Sequence, residues 1–146
     1  MKNKVTTLLI ALVAVAGFSC EDEIACDADE NGSINGDCRR VVSRARDYKS
    51  DGETFETIKL SFISGTGTSD LVISDSDGLI EAGEYTTASY HFSGRSQQNR
   101  LVVYIGEVNR ENGNTISGSF IFEGTYSENY QSYDVEKTGS FSNVSF

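Results

Sequence analysis

The segment Asp27-Ala28-Asp29-Glu30-Asn31-Gly32-Ser33-Ile34 gathers the densest set of groups able to do chemistry in this chain. Its oxygens fall at alternate residues, as in an EF-hand calcium loop, where positions 1, 3 and 5 supply ligands and a glycine at 6 makes the sharp turn. Asp27, Asp29, Asn31 and Ser33 stand in that register, with Gly32 at the turn and Ile34 as the central apolar residue. Position 12, where a bidentate Glu belongs, is Cys38, and Asp37 comes one residue early. Calcium takes six to eight oxygens, and losing the bidentate carboxylate removes two. A site of Asp27, Asp29, Asn31, Ser33 and Asp37 is therefore expected to hold calcium only at millimolar affinity. The competing reading is an acidic, glycine-bearing loop closed by a Cys26–Cys38 disulfide and holding no ion. Such a bridge encloses about a dozen residues and is worth on the order of 3 kcal/mol by restricting the unfolded chain. Zinc is excluded, because it needs four ligands and His91 is the only histidine.

His91 also decides the catalytic readings. A Ser-His-Asp triad would have to use it, and no G-x-S-x-G elbow accompanies it. Beside Tyr90 in a strand-like run, it reads as a surface or hydrogen-bonded structural residue. Gly65-Thr66-Gly67-Thr68-Ser69-Asp70 begins like a dinucleotide loop, but Asp70 takes the place of the third glycine and no helical pattern follows. It reads as a hairpin turn. Carboxylate pairs for glycoside hydrolysis depend on separation in space, and abundant acids alone select none. Tyr126, Tyr130 and Tyr133 are either packed on a sheet or presented as a contact patch, and the absence of tryptophan counts against a sugar platform. No enzymatic activity is expected, and no cofactor beyond that calcium.

These residues need a scaffold, and from Cys38 onward the pattern is β. Ile58, Leu60 and Phe62 alternate with Thr57, Lys59 and Ser61, a half-buried strand at period two. Leu71 and Ile73 mark a short strand. Tyr85 to Phe92 reads as another, with Ala88, Tyr90 and Phe92 on one face. Leu101, Val103 and Ile105 oppose Val102 and Tyr104, and Ile116, Gly118, Phe120 and Phe122 oppose Ser117, Ser119 and Ile121. Tyr133 and Val135 share a parity that changes between Phe141 and Val144, which predicts a bulge or bend. Arg39 to Tyr48 fits a short helical face or a first strand. Turn signals at Asp51-Gly52, Gly65-Thr66-Gly67, Asp77-Gly78, Ala82-Gly83 and Asn112-Gly113-Asn114 separate the runs. The expected fold is all-β: a single antiparallel β-sandwich, or a small up-and-down, lipocalin-like barrel.

The N-terminus reads as an export signal. Lys2 and Lys4 precede nine apolar residues from Leu8 to Ala16, too few to cross a bilayer core, which takes about 20 in a helix. Two cleavage sites compete. Ala14-Val15-Ala16 would release a soluble protein, whereas Ser19-Cys20 resembles the end of a lipoprotein signal, with Gly17 and Phe18 in place of its usual Leu and small residue. Cleavage after Ala16 leaves three cysteines, an odd number for an oxidising compartment. Lipidation of Cys20, by diacylglycerol and palmitate, leaves Cys26 and Cys38 as a pair and anchors the chain in a membrane. Removing Lys2 and Lys4 leaves 10 basic against 22 acidic residues, a mature net charge of −12. Such a surface repels nucleic acid and anionic headgroups, and neither is an expected partner. Seven acids and no base between Glu21 and Asp37 make that stretch a tether or loop.

Ala82-Gly83-Glu84-Tyr85-Thr86 with Ala88-Ser89-Tyr90, then Ile116-Ser117-Gly118-Ser119-Phe120-Ile121-Phe122 and Gly139-Ser140-Phe141-Ser142-Asn143-Val144, form a glycine–aromatic set. Together with the signal they resemble a group of small bacterial surface lipoproteins of uncharacterised function with a β-rich C-terminal domain. The resemblance implies an all-β domain and transfers no site residue. Acids directly after the lipidated cysteine likewise resemble the signal that sends some lipoproteins to the outer surface. The expected organisation is a signal peptide over 1–19, a lipidated cysteine and acidic tether over 20–37, and a β domain over 38–146. The expected role is non-enzymatic: binding an unidentified protein or glycan partner at the cell envelope, on the surface of the outer membrane. A structural or assembly lipoprotein within the envelope is the alternative.

Overall fold

The computed structural model describes residues 26–146 apart from 28, 76, 77, 93 and 94. The signal, Cys20 and Asp77 therefore lie outside the described residues. Nine strands run as β1 (Gly32–Ile34), β2 (Asp37–Ser50), β3 (Glu53–Ser64), β4 (Gly67–Ser74), β5 (Gly83–Tyr85), β6 (Ser89–His91), β7 (Ser96–Asn109), β8 (Thr115–Glu128) and β9 (Gln131–Ser145). Every pairing is antiparallel, in the order β5-β7-β8-β9-β1-β2-β3-β4-β6. The all-β, antiparallel class read from the sequence is the class of the structure. One sheet curls into a half-barrel, so the facing layers of a sandwich and the continuous ladder of a barrel meet in a single element.

Alternation places the core inside this curl. Ile58, Leu60 and Phe62 of β3, Leu71 and Ile73 of β4, Phe120 and Phe122 of β8 and Phe141 of β9 are all buried. Phe62 meets Phe120 at 5.6 Å and Phe141 at 6.5 Å between ring centroids, both edge-on, which joins the two limbs of the sheet. The parity change at the C-terminus is a bulge: Ser142 and Asn143 together oppose Ser117, and the Asn143 N–H donates to Ser117 Oγ at 2.9 Å.

Three local readings change. Arg39 to Tyr48 lies entirely in a strand, β2, with Val41, Ser43 and Ala45 turned inward and Arg40, Val42, Arg44, Arg46 and Tyr48 turned outward. Tyr85 to Phe92 is two strands: β5 pairs with β7 at one edge of the sheet, β6 with β4 at the other. Residues 86–88 carry the chain between those edges, so the edges lie close together. The Gln98 amide laces them, accepting from Tyr90 N–H at 3.0 Å and donating to Ala88 C=O at 3.2 Å. Within the acidic segment, Gly32–Ile34 forms β1 between β9 and β2. It is joined to β2 by the two-residue turn Asn35-Gly36, whose φ values of 51° and 82° fit the primed hairpin turn that N-G favours. Cys26 is bridged to Cys38 in β2 across a Cα–Cα distance of 5.5 Å, which ties the described start of the chain to the sheet.

Tyr90 sits at the centre of the aromatic cluster, 4.8 Å from Phe120 and 5.3 Å from Phe122 between centroids. Among the described residues its buried hydroxyl closes no hydrogen bond of normal geometry, although Ser69 and Arg39 face it. An apolar isostere loses nothing there, so Tyr90→Phe is expected to leave stability unchanged or to raise it by about 1 kcal/mol at neutral pH. Burial pushes the Tyr90 hydroxyl above its ordinary value of 10.0. The folded state thus resists an ionisation that the unfolded chain accepts: stability is intact below pH 10 and falls as pH rises beyond it. Burial, with Asp75 and Glu81 adding to it, shifts Tyr85 the same way, so Tyr90→Phe should remove only part of this alkaline loss. Thermal melts of both proteins from neutral pH into the alkaline range check both expectations.

Candidate anion-binding face

Three of the calcium-like segment's side chains, those of Asn31, Ser33 and Asp37, are engaged by other partners. Asn31 Oδ1 accepts the Val41 N–H at 2.7 Å, and the Asn31 carbonyl accepts the Ser142 N–H at 2.8 Å. Ser33 Oγ bonds Ser140 Oγ at 2.9 Å, and Asp37 pairs with Arg39 at 3.3 Å. Asp27 accepts the Glu30 N–H through its carbonyl at 2.8 Å, and Asp29 is exposed. From Gly32 to Asp37 the chain is a hairpin and does not wind about one point. Among the described residues no three His, Cys, Asp or Glu side chains come together as a metal site.

The catalytic candidates are dispersed in the same way. His91 is exposed on edge strand β6, across from Asp70 of β4. Ser61 donates to Asp70 Oδ1 at 2.6 Å, so the carboxylate lies between serine and histidine, and a triad needs the imidazole there. The one buried carboxylate among the described residues is Glu56, and its neighbour is a cation. Arg110 donates to both its oxygens, at 3.1 and 2.6 Å, and to the Ile80 carbonyl at 2.9 Å. Glu56 Oε2 also accepts the Ile80 N–H at 2.9 Å. This ion pair locks the β7–β8 turn onto β3 and the segment after β4. The tyrosines separate: Tyr126 is half-buried beside Phe92, Tyr133 is half-exposed, and Tyr130 projects fully from the β8–β9 turn at φ 64°.

What the fold does bring together is a cationic face. Arg40, Arg44 and Arg46 project from the outer side of β2, on the face they share with Val42 and Tyr48. Strand geometry, ~3.3 Å per residue, spaces Arg44 and Arg46 about 6.6 Å apart and spreads the row over about 20 Å. Across the ladder, Arg44 stands directly opposite Lys59, and Arg46 opposite Thr57. Like charges in direct register destabilise a sheet unless something answers them. Asp70 answers Lys59, at 2.7 Å. Burial works against ionisation of Asp70, but Lys59 and Ser61 outweigh it and hold the carboxyl below its ordinary value. Arg40, Arg44 and Arg46 have no such answer: none makes an ion pair with a described residue. Val42, Tyr48 and Val72 line a shallow groove of about 460 Å³ with Arg44, Arg46 and Lys59. Guanidinium forks beside an apolar floor suit oxyanions that accept two parallel hydrogen bonds, such as carboxylate or a sulfate group. The row was not singled out in the sequence, because its residues share a face only if the segment is a strand.

The chain matches no protein-family model, no curated protein and no solved structure.

Proposed function

We propose that the mature chain is a cell-envelope lipoprotein, anchored to the outer membrane through acylated Cys20 and exposed at the surface. Its β domain is a non-enzymatic binding module for a protein or glycan partner that carries anionic groups. The binding half rests on one observation: Arg40, Arg44 and Arg46 make no ion pair with a described residue on one sheet face of a chain whose mature net charge is −12. A row of unanswered like charges does nothing for the stability of the sheet. The anchoring half rests on the lysines, apolar run and Cys20 of the N-terminal sequence. Charge also limits the partner's size. The field of the acidic body repels a duplex or an anionic bilayer, which extends well beyond the row, whereas a short anionic segment sees mainly the arginines within a Debye length of about 8–10 Å.

The test uses full-length mature protein in nonionic detergent, with a low-mass sulfated dextran as the anionic probe. Arg44→Glu/Arg46→Glu should weaken binding on the order of tenfold or more, since it removes two charge-assisted contacts and reverses their sign. Both residues point to solvent, so the melting temperature should hardly move. Equal affinity of variant and parent would sink the face as the binding site. Detergent-phase partitioning that survives Cys20→Ala would sink the lipid anchor.

A further inference from the structure

β2 carries a second open feature beside its arginine row. β3 pairs with it from Arg40 to Ser50 along one side. On the other side β1 pairs only with Asp37, Cys38 and Arg39. The Val41 N–H is then taken by the Asn31 side chain, and the Ser43 hydroxyl reaches the Ser145 carbonyl at the end of β9. Beyond Ser43, no strand of the described residues lies alongside.

Backbone polarity in this stretch follows from the turn. The two-residue connection at Asp51-Gly52 makes Ser50 and Glu53 a hydrogen-bonded pair, so even-numbered residues of β2 bond to β3. Odd-numbered residues turn their N–H and C=O groups the other way, as Val41 does toward Asn31. Ala45, Asp47 and Lys49 therefore present a row of main-chain donors and acceptors along an edge that no described strand covers.

We infer that this edge takes an extended acidic segment of a partner protein as an added strand, antiparallel to β2. The inference rests on reading the adjoining face as an anion site, and it names the partner class. Three observations select this occupant. The added strand would continue the line of β1, which already runs antiparallel to β2. Its outward side chains would stand about 5 Å from those of Arg44, Arg46 and Tyr48, so carboxylates at every second residue meet the guanidinium row while main-chain bonds fix the register. A second copy of this chain is disfavoured, because joining two β2 edges sets one arginine row against another.

The test uses full-length mature protein in nonionic detergent and a fluorescent peptide of alternating Glu and Thr. Residues paired across a ladder share a face, so the Thr residues face inward and bond Ala45, Asp47 and Lys49, while the Glu residues face the arginines. N-methylation of the Thr amides removes the strand bonds and keeps every charge; N-methylation of the Glu amides alters the peptide's far side. Binding of the parent and Glu-methylated peptides, with a loss of tenfold or more for the Thr-methylated one, supports strand addition. The N–H of residue 45 points to the open edge, a place where a strand tolerates proline. Ala45→Pro should thus weaken the peptide by a similar factor and leave sulfated dextran unaffected. Should that variant not fold, the three peptides on the parent protein still decide. Equal binding of all three peptides would overturn the inference and leave a face that binds acids by charge alone. Binding of dextran without any peptide would overturn it too, and binding of neither probe would remove the anion face along with it.

Discussion

Arg110→Met should destabilise the domain by roughly 3 kcal/mol, the low end of the cost of stripping one partner from a buried ion pair. The low end applies because the Arg110 side chain is itself 33% exposed, so some water follows its loss, whereas Glu56 is 4% exposed. Arg110 now answers both carboxylate oxygens, and its hydrogen bonds to Glu56 raise its own pKa and keep it charged. Without it, Glu56 is a buried anion whose remaining side-chain partner is the Ile80 N–H. The variant also removes a donor from the Ile80 carbonyl and a cation from the Phe146 ring, 5.3 Å away. The diagnostic measurement is the double variant Glu56→Gln/Arg110→Met. Glutamine keeps an oxygen for Ile80 and carries no charge, so the double variant should recover about half of the loss or more in urea unfolding. A double variant less stable than Arg110→Met would show that the site needs the Glu56 carboxylate itself, which accepts the Ile80 N–H, and that a stranded charge is not what Arg110→Met costs.

That pair shows where sequence stops being informative. Glu56 and Arg110 are 54 residues apart, and neither has a local pattern that distinguishes it from the exposed acids and bases around it. Alternation, by contrast, is written in the residues themselves. Ile58, Leu60 and Phe62 could be assigned to the core because a strand buries every second side chain, and the bulge at Ser142-Asn143 was visible as a break in that period. The same period was blind to the crossing at residues 86–88, since Tyr90 and Phe92 keep their parity whether or not the strand is interrupted. β1 had a usable signal in Asn35-Gly36, the dipeptide of a two-residue hairpin, but the acids around it made the whole stretch look like a tether. The arginine face was hidden twice. The net charge points away from it, and Arg40, Arg44 and Arg46 align only at period two, in a segment whose small inward residues, Ser43 and Ala45, leave little apolar contrast.

The glycine–aromatic alternation near the C-terminus leads to a second large effect. Gly139 of β9 pairs directly with Phe120 of β8, and Gly118 of β8 with Phe141 of β9. In each pair the ring lies over the glycine: a Cβ on Gly139 would come within 2.1 Å of Phe120 Cε1, and one on Gly118 within 2.8 Å of Phe141 Cζ. No unusual φ is required at Gly139, so the cost of a side chain there is steric and not conformational. The ring cannot withdraw. Phe120 is wedged between Phe62 at 5.6 Å and Tyr90 at 4.8 Å, in a close-packed core without slack. Gly139→Ala should therefore cost about 2–3 kcal/mol, the upper part of the range for overpacking, and Gly139→Val more. Replacing Phe120 with Leu should cost about 1–2 kcal/mol alone through lost contacts, but it also clears the space above residue 139. The two changes should then be strongly non-additive: Gly139→Ala/Phe120→Leu should be more stable than the sum of the single losses by about 1 kcal/mol or more. Additive losses in a chemical-denaturation cycle would mean that the glycine is needed for something other than a seat for the ring. A coupling of the expected size would explain why glycine and phenylalanine alternate across β8 and β9: each small residue makes room for the aromatic side chain that joins the two limbs of the sheet.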